Sequence, residues 1–435
     1  MTTFDQIVPA LAEMLRDQHE ALSAMGPLII NRDLNGRVRL VVSEKVQSNP
    51  DLMEHIYVLT HRMAERLGRH AFPPDRAVLF DAQIDAIRQE LPGLTLEGLN
   101  NIWIVDRLVT ESNWSAISPV AEGIPRVVFF SLKGGVGRST AMAVSAWALA
   151  QQGYRVLALD LDLESPGFSS ALLPEDRLPE YGITDWLVED LVDNGKEVFE
   201  GMVAISSLSR EGEIYVVPAH GRDPGEYIPK LGRIWMPRVD PEGRREIWSL
   251  RLRRLIDHLE QRYNPDVILI DARAGIDEVA SACITDLGAH LALLFAVDSE
   301  QTWAGYRVLF RHWRMTGVAP TIRERLQIVG AMVPERNRAT YLGQFRERAW
   351  ILFVEELYDQ VGPEAESEES IKPWSFDQAD EDAPHTPWAI RWHPEWMAIR
   401  SLHEHMSAVD AAGVHLLFGP LVDNLSVFIS SQKQS

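Results

Sequence analysis

Two cations bracket a run of glycines in Ser131-Leu132-Lys133-Gly134-Gly135-Val136-Gly137-Arg138-Ser139-Thr140. Glycines so spaced let backbone N–H groups close around the oxygens of an anion such as phosphate. A cation at each end, Lys133 and Arg138, would neutralise that anion. Hydroxyls follow at Ser139 and Thr140, and the Ser139 hydroxyl is placed to reach a magnesium ion beside a phosphate. A stretch that only turned the chain would need neither the cations nor the hydroxyls.

Two other runs end in carboxylates. Arg155-Val156-Leu157-Ala158-Leu159-Asp160-Leu161-Asp162 is apolar and then acidic, and Pro265-Asp266-Val267-Ile268-Leu269-Ile270-Asp271 repeats the pattern. Asp160 and Asp162 have two readings each: a group that serves a metal ion or an attacking water, or a cap for the turn that follows. Beyond Asp271 lies Ala272-Arg273-Ala274-Gly275. Arg273 either touches phosphate or pairs with a neighbouring acid.

These groups need elements to hold them together. The glycine run follows the β-like segment Arg126–Phe130 and precedes the helix-like segment Ala141–Ala150. A strand, a tight turn and a helix N-terminus form an anion site, because the helix dipole favours negative charge there. After the turn at Gly153 comes the strand that ends at Asp160, which completes a parallel crossover unit. Strands are expected at Val127–Ser131, Val156–Asp160, Ile214–Val217, Val267–Asp271, Leu291–Val297 and Gln327–Met332. Their alternation with helical segments predicts an α/β fold with a mostly parallel sheet.

The pattern Lys-Gly-Gly-x-Gly-[Lys/Arg]-[Ser/Thr], with Asp160, Asp162 and Asp271 at strand ends, resembles the deviant Walker A loop of the ParA/MinD superfamily of P-loop ATPases. The resemblance implies a doubly wound P-loop NTPase sheet over residues 123–435 that binds ATP and Mg2+. It implies nucleotide contacts from Gly134, Gly135, Val136, Gly137, Arg138, Ser139 and Thr140. Ser139, Asp160 and Asp271 would hold the magnesium, partly through water. Lys133 would cross to the nucleotide of a second subunit, making a homodimer across ATP, and Asp162 would orient the attacking water. Arg273 and Gly275 would belong to switch II, with the Gly275 N–H sensing the γ-phosphate. Asn337 would read the adenine. The chain departs from the pattern at Arg138, where lysine is usual, and at Ala272-Arg273-Ala274, where prolines are common.

Composition sets limits. The single cysteine, Cys283, excludes a disulfide framework and the paired cysteines of an iron–sulfur carrier. A formal net charge of −21 disfavours broad attraction to nucleic acid. Lys230, Arg233, Arg238, Arg244, Arg245, Arg251 and Arg253 nevertheless cluster between Arg222 and Arg254. If a helix starts at Arg244, then Arg244, Arg251 and Arg254 line one edge of an apolar face carrying Trp248, Leu252, Leu255 and Leu259. That edge is open to three readings: DNA contact, a solvated edge, or a protein interface. No run approaches the roughly 20 apolar residues of a membrane span, so no membrane segment and a cytoplasmic location are expected.

Residues 1–122 read as a separate small α+β domain. Phe4–Met25 and Leu52–Leu67 have helical spacing, Asn35-Gly36 marks a hairpin turn, Asp81–Leu91 reads as a helix and Ile102–Leu108 as a strand. No catalytic pair stands out there, so the domain is expected to bind a protein partner. An exposed acidic insertion is expected near 355–382, and Trp388, Trp392 and Trp396 after it read as a core or interface stripe. The sequence thus predicts a slow ATPase acting as a nucleotide-controlled dimerisation switch, whose partner is a protein or DNA. The alternative is a nucleotide-dependent scaffold or sensor with negligible turnover.

Overall fold

The computed structural model describes residues 2–18, 22, 25–85, 94–96, 99–107, 113–209, 211–240, 242–360, 373–396, 402–408 and 410–433. The chain forms two compact units, Met1–Asn113 and Trp114–Ser435.

In the first unit, helix α1 (Ile7–Arg16) is followed by strands β1 (Leu28–Arg32) and β2 (Val38–Ser43), helix α2 (Pro50–Leu67), and strands β3 (Val78–Asp81), β4 (Leu94–Leu96) and β5 (Leu99–Asp106). The strands make one sheet in the order β3-β2-β1-β5-β4. The β1–β2 pair is an antiparallel hairpin. Its turn is held by the Asp33 carboxylate, which accepts from the N–H groups of Asn35 (2.9 Å) and Arg37 (2.8 Å). Gly36 supplies the left-handed residue at φ +75°. Alternate strand residues Leu28, Ile30, Leu40, Val42, Ile102 and Ile104 form a core with Leu11, Leu15, Leu59 and Met63 of the two helices. The Asn49 side chain caps α2, accepting from the N–H groups of Asp51 and Leu52. Val78–Asp81 is a parallel edge strand at the point where a helix beginning at Asp81 is expected, and residues 86–91 of that expected helix lie outside the described residues.

The second unit begins at Trp114, earlier than a boundary at residue 122. Ser118 N–H bonds to Thr285 O and Ala121 N–H to Gly288 O, and Trp114 packs on Trp313 with ring centroids 6.2 Å apart. Its strands are β6 (Arg126–Ser131), β7 (Arg155–Asp160), β8 (Ala204–Ile205), β9 (Glu213–Val217), the two-stranded ribbon β10 (Arg238–Val239) and β11 (Arg245–Glu246), β12 (Val267–Asp271), β13 (Leu291–Ala296), β14 (Leu326–Val333) and β15 (Trp388–Arg391). Eight of them form one sheet in the order β15-β14-β13-β6-β12-β7-β9-β8. Every pairing is parallel except that of β8 with β9. Strands β6, β12 and β13 are buried along their whole length, as expected of a sheet covered on both faces.

The main helices of this unit are α3 (Arg138–Gln151), α4 (Ile183–Glu189), α5 (Trp248–Tyr263), α6 (Glu278–Thr285), α7 (Glu300–Met315), α8 (Arg338–Glu356) and α9 (Ala411–Gln432). Two buried clusters lie on the two faces of the sheet, one gathering α5, α6, α7 and α8, the other α3 and α9. Helix α9 corrects the expectation that no run is apolar enough to span a bilayer. It has 22 residues with a mean hydropathy of 1.5 in its most apolar window, and 44% of that window is buried. Leu417, Leu421, Val422, Leu425 and Ile429 explain this composition, since they pack in the core beside α3.

The basic segment also takes a different form from the expected edge. Helix α5 buries Trp248, Leu252, Leu255 and Leu259, but Arg251 is buried with them. Its guanidinium donates to Asp190 at 2.9 Å. Arg254 pairs with Asp190 and Glu246, Lys230 with Asp185, Arg238 with Asp193 and Arg244 with Asp240. These arginines are neutralised by acids rather than presented as a cationic row. In the expected acidic insertion, residues 361–372 lie outside the described residues. Of the described flanks, Asp377 to Asp382 are exposed as expected, while Asp359 and Trp374 are anchored: Arg323 pairs with Asp359 at 2.6 Å, and Trp374 packs edge-on to Tyr358.

Candidate functional site

The carboxyl ends of β6, β7 and β12 meet because the three strands are adjacent and in register. Asp271 lies opposite Asp160, and Asp271 O accepts from Leu161 N–H at 3.1 Å. The glycine run leaves β6 at Ser131 and enters α3 at Arg138. Gly135 and Gly137 adopt φ of +76° and +80°, which a side chain would strain. A Cβ on Gly134, Gly135 or Gly137 would meet nothing within 4 Å, so open space lies over the loop. Gly137 also starts α3, accepting the first helical bond from Ala141 N–H. The loop, its open side and the helix N-terminus together form a cradle suited to phosphate.

Arg138 does not face that space. Its side chain is 7% exposed and turns down onto the strand ends. Nε donates to Asp271 Oδ1 at 2.6 Å and Nη2 to Asp162 Oδ2 at 3.2 Å. Nη1 and Nη2 also stand 3.4 Å from the hydroxyls of Ser131 and Ser139. Two carboxylates thus hold the guanidinium that the resemblance expects to reach the phosphates. Burial works against its charge, but the pairing outweighs burial and holds the guanidinium above its ordinary value. The Ser139 hydroxyl donates to Asp271 Oδ2 at 2.7 Å.

Asp160 is fully buried, and its Oδ2 accepts from Ser169 N–H at 3.2 Å. That is the capping reading of this residue. Its other oxygen and Asp162 Oδ1 are buried with no hydrogen-bond partner. Burial, then the nearby charges of Asp271 and Asp162, push the Asp160 carboxyl up to about 7. Burial raises Asp271 as well, opposed by Arg138 and Ser139.

The outer groups are held differently. The Lys133 ammonium donates to the side-chain carbonyl of Gln301 in α7. Arg273, for which the sequence leaves two readings open, pairs with Glu164 at 2.6 Å and lies 3.7 Å from Asp277. The Gly275 N–H donates to Ser131 O at 2.9 Å, so it is engaged by the backbone rather than aimed at a phosphate. Asn337 sits at the N-terminus of α8 with φ +56°. A cavity of about 50 Å3 beside the loop is lined by Val136, Gly137, Thr140, Met332, Trp392 and Trp396 among others, without Asn337. Trp392 and Trp396 thus border the loop, and Trp388 and Trp396 also pack against the core that holds α9, as a core or interface stripe would. The edge strand β15 places them there, with Trp392 N–H donating to Val333 O at 2.9 Å.

Among the described residues, no group of three or more His, Cys, Asp or Glu side chains could hold a metal by itself. One hydroxyl, one or two carboxylates and a ligand's phosphates are nonetheless a usual set for magnesium. The orphaned oxygens of Asp160 and Asp162 fit a cation that brings its own waters.

Residues 127–308 match a family model described as the CobQ/CobB/MinD/ParA nucleotide binding domain. No curated protein matches the chain. The solved structures similar to it include MinD complexed with Mg-ADP from Pyrococcus horikoshii OT3, at 20% identity over 70% of this chain and 96% of that one, with a TM-score of 0.41. The structure of pNOB8 ParA bound to nonspecific DNA is 17% identical over 72% and 99%, with a TM-score of 0.43. The MinD cell division protein of Aquifex aeolicus is 20% identical over 47% and 68%, with a TM-score of 0.33. The glycine cradle, the acids at neighbouring strand ends and the family match over β6 to α7 agree: residues 127–308 form a nucleotide-binding domain like those of the CobQ/CobB/MinD/ParA family.

Proposed function

We propose that this chain binds ATP with magnesium at residues 133–140 and works as a slow, nucleotide-controlled dimerisation switch. The observation that carries the reading is the convergence of the open glycine cradle with Ser139, Asp160, Asp162 and Asp271 at three neighbouring strand ends. Backbone N–H groups of Gly134 to Ser139 cradle the phosphates. Ser139, with Asp271 and Asp160 partly through water, holds magnesium, which supplies charge neutralisation at the phosphates. Asp162 positions water for attack, and its buried free oxygen supports that role. Lys133 is tied to its own subunit only through a neutral amide, an exchangeable partner if it is to reach a second subunit's nucleotide.

The partner is a protein in this reading, engaged through the N-terminal unit. The pairing of the basic segment with acids speaks for a protein rather than a DNA backbone. A second reading, a scaffold or sensor with negligible turnover, is favoured by one specific feature: Arg138 and Arg273 are both held on carboxylates. Hydrolysis assays on wild type and Asp162→Ala, with light scattering in ATP and in ADP, separate the two. The switch requires ATP-dependent dimers and turnover that is lost in Asp162→Ala without loss of binding. Turnover equal in the two proteins removes the catalytic role, and an oligomeric state indifferent to nucleotide favours the scaffold.

A further inference from the structure

Arg138 cannot serve the phosphates and the acids at once. Its charge is directed away from the open side of the glycine loop and is spent on Asp162 and Asp271. The Ser139 hydroxyl is spent on the second oxygen of Asp271. We infer that Arg138 is an internal counter-ion, held by Asp162 and Asp271 in place of a divalent cation, and that nucleotide binding exchanges it out to the phosphates. The inference rests on the nucleotide-binding reading above.

The geometry explains why arginine suits this position. A planar guanidinium presents several donors at fixed directions, so one side chain spans two carboxylates from different strands. Nε serves Asp271 of β12 while Nη2 serves Asp162 beyond β7. A lysine ammonium is a point charge on a flexible stem and bridges such a pair less well. The guanidinium also cannot shed its proton to escape a poor environment. Wherever it goes, its charge goes too.

The energetics then couple two ligands. If Arg138 turned to a phosphate with nothing in its place, two buried carboxylates would lose the cation that pairs with them among the described residues, a strongly unfavourable state. Asp271 is fully buried and the Asp162 side chain is 15% exposed, so water relieves little of this. Nucleotide without a divalent cation must therefore bind to the cradle alone, with Arg138 still on the acids. A divalent cation without nucleotide must compete with a paired guanidinium that has nowhere else to go. Together they satisfy every charge, since Arg138 passes to the phosphates as the cation held at Asp271, close to Asp162, takes over its charge. Cation and nucleotide should bind with positive coupling of about 100-fold, toward the upper end of the usual range between two sites.

The test is calorimetric titration of ATP into the full chain, in EDTA and in magnesium, for wild type, Asp271→Asn and Asp162→Asn. If the acids hold Arg138 back, Asp271→Asn releases it. Metal-free ATP should then bind about tenfold tighter than to wild type, while the gain from magnesium collapses. Asp162→Asn should move the same way by less, and it carries the test if Asp271→Asn does not fold. Asp298→Asn, beyond the end of β13, is the control for simple loss of negative charge, since Asp298 pairs with Arg348 instead. Equal metal-free affinity in wild type and both variants would overturn the inference, as would an equal gain in Asp298→Asn. If no protein binds ATP in either buffer, the nucleotide-binding reading itself fails.

Discussion

The two cations of the glycine loop stand five residues apart and inhabit different surroundings. Arg138, at the inner end, is buried and bound to carboxylates from two strand ends. Lys133, at the outer end, is only partly buried and has a neutral amide for a partner. A buried charge is tied to the fold, because removing its partner leaves a desolvated ion. A partly exposed charge is little tied to the fold, since water compensates its loss. The inner end of the loop should therefore govern stability, and the outer end should be free to govern assembly.

The sharpest way to break this contrast is Arg138→Ala. It strands Asp162 and Asp271 and should cost about 3–5 kcal/mol in the nucleotide-free protein, the usual penalty for half of a buried pair. Denaturant unfolding in EDTA measures it, and a cost below that of an ordinary surface change would dissolve the distinction.

Asp160 gives the next effect through pH. Its folded value of about 7 lies above the ordinary 3.8, so the folded state keeps a proton that the unfolded chain has shed. Stability from this residue is complete below about pH 4 and is lost as pH rises through about 7, by up to about 4 kcal/mol at 1.36 kcal/mol per unit. Asp160→Asn should therefore gain on wild type as pH rises from about 4 to about 7. Parallel curves for the two proteins would mean that burial and the neighbouring acids do not raise the Asp160 carboxyl.

Ser139→Ala removes a hydroxyl donor to a buried carboxylate and should cost about 1–2 kcal/mol, with weaker magnesium-dependent nucleotide binding as well. Lys133→Ala should change stability by less than about 0.5 kcal/mol, as surface substitutions do. Yet it should abolish the ATP-dependent dimer seen by light scattering. A Lys133→Ala protein that melts early, or that still dimerises, would contradict the assignment of the outer end.

Much of this fold could be read in advance where local and global signals agreed. The six expected strands of the large sheet are all present, because each is an apolar run bounded by a turn or by an acid at a fixed place. The glycine loop was equally plain, since only glycine suits the left-handed positions 135 and 137. Long-range pairing was not legible. Nothing in the spacing of Lys133 or Arg138 says that one meets Gln301, 168 residues on, and the other Asp271, 133 residues on. The basic segment misled for the same reason, as Asp185, Asp190 and Asp193 lie far from it in the chain. Helix α9 looks membrane-capable by composition, and only its packing shows a core helix. The edge strand β15 was hidden by its shortness and by the prolines on both sides.

The account stands or falls on nucleotide binding at the glycine loop. Calorimetric titration of the full chain with Mg-ATP, beside Gly137→Val, tests it most directly. A β-branched residue at φ +80° is strained, and its side chain would enter the open space above the loop. The account predicts one ATP per wild-type chain with a dissociation constant well below millimolar, and loss of that binding in Gly137→Val. No heat of binding from the wild type at millimolar Mg-ATP, or equal binding by the two proteins, would contradict it.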